Sequence, residues 1–162
     1  MADFNRVAKE NKIDMHKEQL EILQKHGDNL AERKEHANRM FEFMKSKAQD
    51  SSDLMNIETA KENVNQNFID AFREEVEDPS KAIKDKLYED INEIEKDSDN
   101  LRKAADQTQG FGVADNAADD IKSKLNDSAQ KDDAMARGAR DIIGKNDDSV
   151  HKNYIHILSR YS

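Results

Sequence analysis

From Ile13 onward the positions that fall at alternating spacings of three and four are Ile13, His16, Leu20, Leu23, Gly27, Leu30, Lys34, Ala37, Phe41, Met44 and Ala48. Most are apolar and their neighbours are charged. That spacing stacks one side chain per turn on a single stripe of a helix, so the pattern predicts one long helix from about Asp3 to Ala48 with a buried seam. Two positions weaken the seam. A helical glycine costs about 1 kcal/mol relative to alanine, so Gly27 is expected to loosen the middle, and Lys34 is expected to snorkel its ammonium to water.

Asp50-Ser51-Ser52-Asp53 punctuates the pattern with short polar side chains suited to capping a following helix. A second helix is predicted from Leu54, with Ile57, Val64, Phe68, Ile69, Ala71, Phe72 and Val76 on its apolar face. Asp78-Pro79 is expected to end it, because proline disfavours helical geometry in the residue before it yet fits the first turn of a new helix. A third helix then carries Ile83, Leu87, Ile91, Ile94, Leu101 and Ala105, with Ser98 the polar interruption. The glycines of Gln107–Gly112 predict a turn or hinge. Beyond it the apolar positions are mostly alanine from Val113 to Gln130. A short element from Ala134 to Ile143 is expected to stop at Gly144. A last amphipathic helix is predicted to carry Val150, Tyr154, Ile157, Leu158 and Tyr161.

The fold expected is therefore all-α, with about five long helices packed antiparallel as a coiled-coil-like hairpin or bundle. Its organisation reads as an N-terminal three-helix unit over residues 1–106, a glycine-containing turn at 107–112, and a C-terminal part over 113–162 that is either a second unit or part of one continuous domain.

Composition narrows the function. Hydrophobic residues make up 35% of the 162 residues and charged ones 38%, so the core is thin for the length. Cysteine is absent, which removes disulfides, thiolate metal sites and a cysteine nucleophile. No run of about 20 apolar residues spans a membrane, and the N-terminus lacks the apolar middle of a cleaved signal, so a soluble protein made without Sec-type export is expected. The net charge of -9 and the lack of a basic stripe argue against nucleic acid as a partner.

Candidate chemistry is sparse. His16, His26 and His36 are ten residues apart and cannot converge from one helix, while His151 and His156 are spaced by five rather than the four of helical metal pairs. The carboxylate clusters Glu74–Asp78 and Asp97–Asn100 read as solvated faces. Neither a phosphate-binding glycine loop nor a nucleophile elbow occurs. The expectation is a non-enzyme with no cofactor and no metal.

What the chain does carry is apolar surface. Met40-Phe41-Glu42-Phe43-Met44 sets four large apolar side chains within five residues, wider than a two-helix seam covers, and Phe68-Ile69 with Phe72 does the same on the second helix. Part of this is expected to face inward across the hairpin. The remainder points to a helical structural or interaction protein that self-assembles or pairs with another helical protein, as an assembly subunit, scaffold or secretion-associated protein would. The contact residues expected are Leu23, Leu30, Phe41, Phe43, Met44, Phe68 and Phe72, with Ile157, Leu158 and Tyr161 as a second contact. The partner is expected to be protein, with a homo-oligomer or larger assembly as the result. An amphipathic module for lipid or an apolar ligand is the alternative, and an acidic inhibitor mimicking nucleic acid a weaker one.

Overall fold

A computed structural model describes residues 2–108 and 115–158, and among these the backbone is helical apart from the turn at 48–50. The elements are α1 (Ala2–Lys47), α2 (Ser51–Phe72), a single wide π-turn (Arg73–Glu77), α3 (Asp78–Gln107) and α4 (Asp115–Leu158). Because the π-turn joins α2 to α3 without a break, the described residues form three continuous helical stretches rather than about five helices.

Two expected breaks are absent, each for a physical reason. Pro79 lacks an N–H and its ring would collide with the carbonyl one α-turn back. The turn before it widens, with the Asp78 N–H reaching back to the Arg73 carbonyl, five residues away, so the helix passes the proline instead of ending. Gly144 is not a C-cap either. The inward positions of α4 run Ala129, Asp132, Ala136, Ala139, Ile143, Asn146, Val150, Asn153 and Ile157 at unbroken three/four spacing, and all of them except the half-buried Val150 are buried. The polar members of this series hide its continuity in the sequence.

The helices build two compact units, one from Met1–Lys17 with Lys84–Gly144 and the other from Glu18–Ile83 with Lys145–Ser162. In the first, Ile13 of α1 joins Leu87, Ile91, Ile94 and Ala105 of α3 and Ala118, Ala129, Ala136, Ala139 and Ile143 of α4 as buried apolar residues. Ser98, the polar interruption in α3, is buried with its hydroxyl donating to Asp133 Oδ1 at 2.6 Å and accepting from Arg102 Nη1 at 2.7 Å. Arg102 also pairs with Asp133, and together with the Ser98 hydroxyl it holds that carboxyl below the usual aspartate range. Arg6 of α1 donates through Nε to the seam carboxylate Asp132 at 3.0 Å and through Nη2 to the Ser128 carbonyl at 3.3 Å.

In the second unit Leu30, Phe72, Val76 and Ile157 form the buried cluster, with Ala31, Phe68, Ile69, Ala71, Val150 and Tyr154 packed against it. Gly27 sits against this cluster. A Cβ there would lie 2.9 Å from Asn153 Nδ2, 3.3 Å from the Phe72 ring and 3.4 Å from Val76. The missing side chain lets α1 approach its neighbours and leaves room for the Asn153 amide to donate to Asp28 Oδ1 at 2.9 Å. The glycine expected to loosen the seam therefore marks a close approach of α1 to its neighbours.

Gly138 and Gly144 differ: a Cβ at either meets nothing within 4 Å. Changing each to alanine recovers helix propensity with no clash. Gly138→Ala with Gly144→Ala is expected to raise stability by about 1–2 kcal/mol, read as a higher urea midpoint at unchanged slope.

Candidate functional site

The α1–α2 hairpin is set by its turn. Asp50 caps α2, its Oδ1 accepting from the Asp53 N–H at 2.8 Å, while Asp53 Oδ2 accepts from the Gln49 N–H at 3.4 Å. Register follows from two ion pairs across the hairpin, Lys45 with Glu58 and Lys61 with Glu42, the latter at 3.4 Å. The first pair raises the Lys45 ammonium above the ordinary lysine value and lowers the Glu58 carboxyl. By the same register Asn38 and Asn65 sit level with one another, both buried, and the Oδ1 atom of each has no hydrogen-bond partner. A polar residue at a helical seam favours one register over others.

At 100° per residue, Glu42 and Lys45 occupy one flank of α1, and Met40, Phe43, Met44 and Lys47 the other. The second flank is apolar and uncovered. Met40 is 56% exposed, Phe43 64% and Met44 45%. The Lys47 ammonium stands 5.6 Å from the centre of the Phe43 ring, close enough for a cation–π contact. A cavity of about 360 Å3 opens here, lined by Phe43, Met44, Lys47 and Ala48 of α1 and Asp53, Asn56 and Ile57 of α2.

The candidate contact residues are thus divided by the fold. Phe43 and Met44 are on the open flank, and Phe41 is half-buried. Leu30, Phe72 and Ile157 are not surface residues, because the second unit buries them in its own core, where Phe68 packs against them. Leu23 is half-buried and Leu158 is 41% exposed. Tyr161 and the Gly110–Gly112 turn lie outside the described residues. Lys47, Asp53 and Asn56, the polar edge of the flank, were not selected from the sequence, although the i, i+4 spacing of Phe43 and Lys47 was legible there.

Lys34 departs from expectation. Rather than snorkelling, it is 2% exposed, and its ammonium donates to the carbonyls of Ile157 and, at 3.2 Å, His156 in the last turn of α4. Carbonyls in the last turns of a helix carry partial negative charge, so an ammonium beside them gains both hydrogen bonds and a favourable electrostatic contact. Desolvation, followed by the nearby Lys61, lowers its pKa. The sign follows: between the lowered value and the ordinary one of 10.5 the unfolded chain binds more protons, so stability attributable to Lys34 rises with pH across that window. Wild type minus Lys34→Met is expected to increase from pH 8 toward 10.5 in urea titrations. A difference that is flat or falls contradicts this.

Two other cavities, each of about 280 Å3, carry charged walls. That in the first unit is lined by Asn5, Arg6, Lys9, Ile94, Asp97, Asn100, Leu101 and Asp132, and both its cations are paired, Arg6 with Asp132 and Lys9 with Asp97. That in the second lies among Asp28, Glu32, Glu35, Lys152, Asn153 and His156. There Asp28 accepts from Asn153, and Glu35 is engaged by Arg39 at 2.7 Å, which lowers its pKa. Among the described residues no three His, Asp or Glu side chains are grouped to hold a metal ion, and no helix is long and apolar enough to cross a membrane.

No protein-family model, curated protein or solved structure matches the chain. The functional reading therefore rests on the geometry of the hairpin flank.

Proposed function

We propose that this chain is a non-catalytic helical interaction protein that associates with itself or with another helical chain, the contact being the apolar flank of the α1–α2 hairpin. The observation that carries this reading is the exposure of Met40, Phe43 and Met44, three large apolar side chains within five residues of one helix, beside the Ile57-lined cavity. Large contiguous apolar surface is costly in water, and methionine and phenylalanine adapt well to a partner's side chains. Lys47, Asp53 and Asn56 supply a polar edge of the kind that surrounds the centre of an interface.

A photocrosslinking phenylalanine analogue at position 43, compared with one at Glu62 on the opposite flank of α2, tests the reading in extracts of the producing cells. An adduct to this chain or to another protein is expected from position 43 only. Equal adducts from both positions, or none from 43, contradict it.

A further inference from the structure

We infer that the C-terminal arm of α4, Lys145–Leu158, is a strap that lifts off the second unit as one piece about Gly144 and uncovers the cluster of Leu30, Phe72 and Val76, a movement separate from the hairpin flank. Gly144 is the last residue of the first unit and Lys145 the first of the second. A Cβ at 144 would meet nothing within 4 Å, so no neighbour requires a glycine there. What the glycine does supply is the helix position that unwinds at least cost, because it has the most backbone freedom to regain.

The arm is fastened unevenly. At its far end Ile157 belongs to the buried cluster, Tyr154 lies against Phe72, Asn153 donates to Asp28, and the Lys34 ammonium donates to the carbonyls of His156 and Ile157. The Asn153 and Lys34 bonds are ones that water can replace. Near Gly144 the fastening fails. Asn146 is 0% exposed, and both its Nδ2 and its Oδ1 lack a hydrogen-bond partner. Four residues beyond Val76, Ser80 is also 0% exposed with its hydroxyl unpartnered. Both side chains have left water without a bond in return, and both regain water when the arm lifts, so the closed form is held less tightly than its burial suggests. On the other side of Gly144 the seam carboxylate Asp132 is paired with Arg6. A lifted helix of fourteen residues, Lys145–Leu158, is marginal in water by itself, so its amides become open to exchange.

Residue-resolved hydrogen exchange of the full chain under native conditions tests this. Amides from Val150 to Ile157 are expected to share one level of protection, at least about tenfold below that of Ala129–Ile143 in the same helix, with a step at Gly144. Gly144→Ala is expected to raise protection of the arm about fivefold, and Gly138→Ala, at a position that stays helical when the arm lifts, to leave it unchanged. In this cysteine-free chain a thiol introduced by Ser80→Cys is expected to react with a thiol reagent through the same opening. Protection that climbs steadily inward from Leu158 describes a fraying end and overturns the inference. Equal protection on both sides of Gly144 overturns it too, because the arm then leaves only when the whole chain unfolds. So does an arm that responds alike to Gly144→Ala and Gly138→Ala, or a thiol at position 80 that stays unreactive while the arm exchanges.

Discussion

Phe72→Ala is expected to lower stability by about 3–5 kcal/mol, the range for truncating a fully buried aromatic ring. Phe72 is 1% exposed and belongs to the cluster with Leu30, Val76 and Ile157, its ring 6.3 Å from that of Tyr154 and tilted against it. The same ring lies 3.3 Å from where a Gly27 side chain would begin, so the backbone of α1 already approaches this point closely. Helices held by backbone proximity and by the Asn153–Asp28 bond cannot collapse freely into the space vacated, and the loss should fall in the upper part of the range. Urea unfolding followed by circular dichroism reads it as a lower midpoint. A loss below about 1 kcal/mol would mean that the cluster is not the packed centre of its unit.

Arg6→Ala should be the second most damaging change, at about 3 kcal/mol, because it strands the carboxylate of Asp132 on a buried seam. The two side chains are 13% and 9% exposed, and Arg6 also donates to the Ser128 carbonyl, so its removal costs hydrogen bonds at two points on α4. The pair itself is a different matter from its halves. Taking both charges from water costs nearly as much as their attraction returns, so Arg6→Met with Asp132→Leu is expected to fall within about 1 kcal/mol of wild type. A double-mutant cycle separates the two cases. Equal losses in the single and the double variant would show that Arg6 acts through packing alone, and a harmless Arg6→Ala would remove the pair as a fastener of α1 to α4.

These two sites illustrate which parts of the fold the amino-acid pattern displays. Phe72 lies on an apolar stripe and is recognisable as an inward residue, as are Leu20, Leu30, Leu87, Ile91 and Ile94, because apolar spacing alone identifies the buried face of a helix. Asp132 is not. Together with Asn146 and Asn153 it occupies inward positions of α4 with polar side chains, and a reading based on apolar residues divides one helix into three at those points. Proline and glycine mislead in the same direction. Pro79 signals a boundary locally, but the tertiary packing of Val76 and Ser80 on either side holds the helix together and the backbone absorbs the ring in one wide turn. Gly27 carries a propensity cost that is visible in the sequence, whereas the close approach that offsets it involves Phe72 and Asn153, far away in the chain.

The contact surface was legible only in part for a related reason. Met40–Met44 is conspicuous as a run of large apolar residues, but the run does not say which members point inward. In the register marked by the ion pairs of Lys45 with Glu58 and Lys61 with Glu42, Phe41 is half-buried while Phe43 and Met44 are exposed. Leu30, Phe72 and Ile157 have the same chemistry as docking residues, and only the packing of α1, α2 and α4 in one unit assigns them to the interior. Chemistry by side chain type and spacing is thus sufficient for helix faces, and insufficient for deciding whether a face meets its own chain or another.

That last distinction is also the one on which the functional reading turns. Thermal unfolding of Phe43→Asp with Met44→Asp, followed by circular dichroism at a concentration low enough to keep every species monomeric, tests it most directly. Side chains that stand free in the isolated chain can be made acidic with little cost, and the melting temperature is expected to stay within about 2 °C of wild type, since surface substitutions lie within about 0.5 kcal/mol. A fall of 10 °C or more would place Phe43 and Met44 in the chain's own core and leave no open flank for a partner.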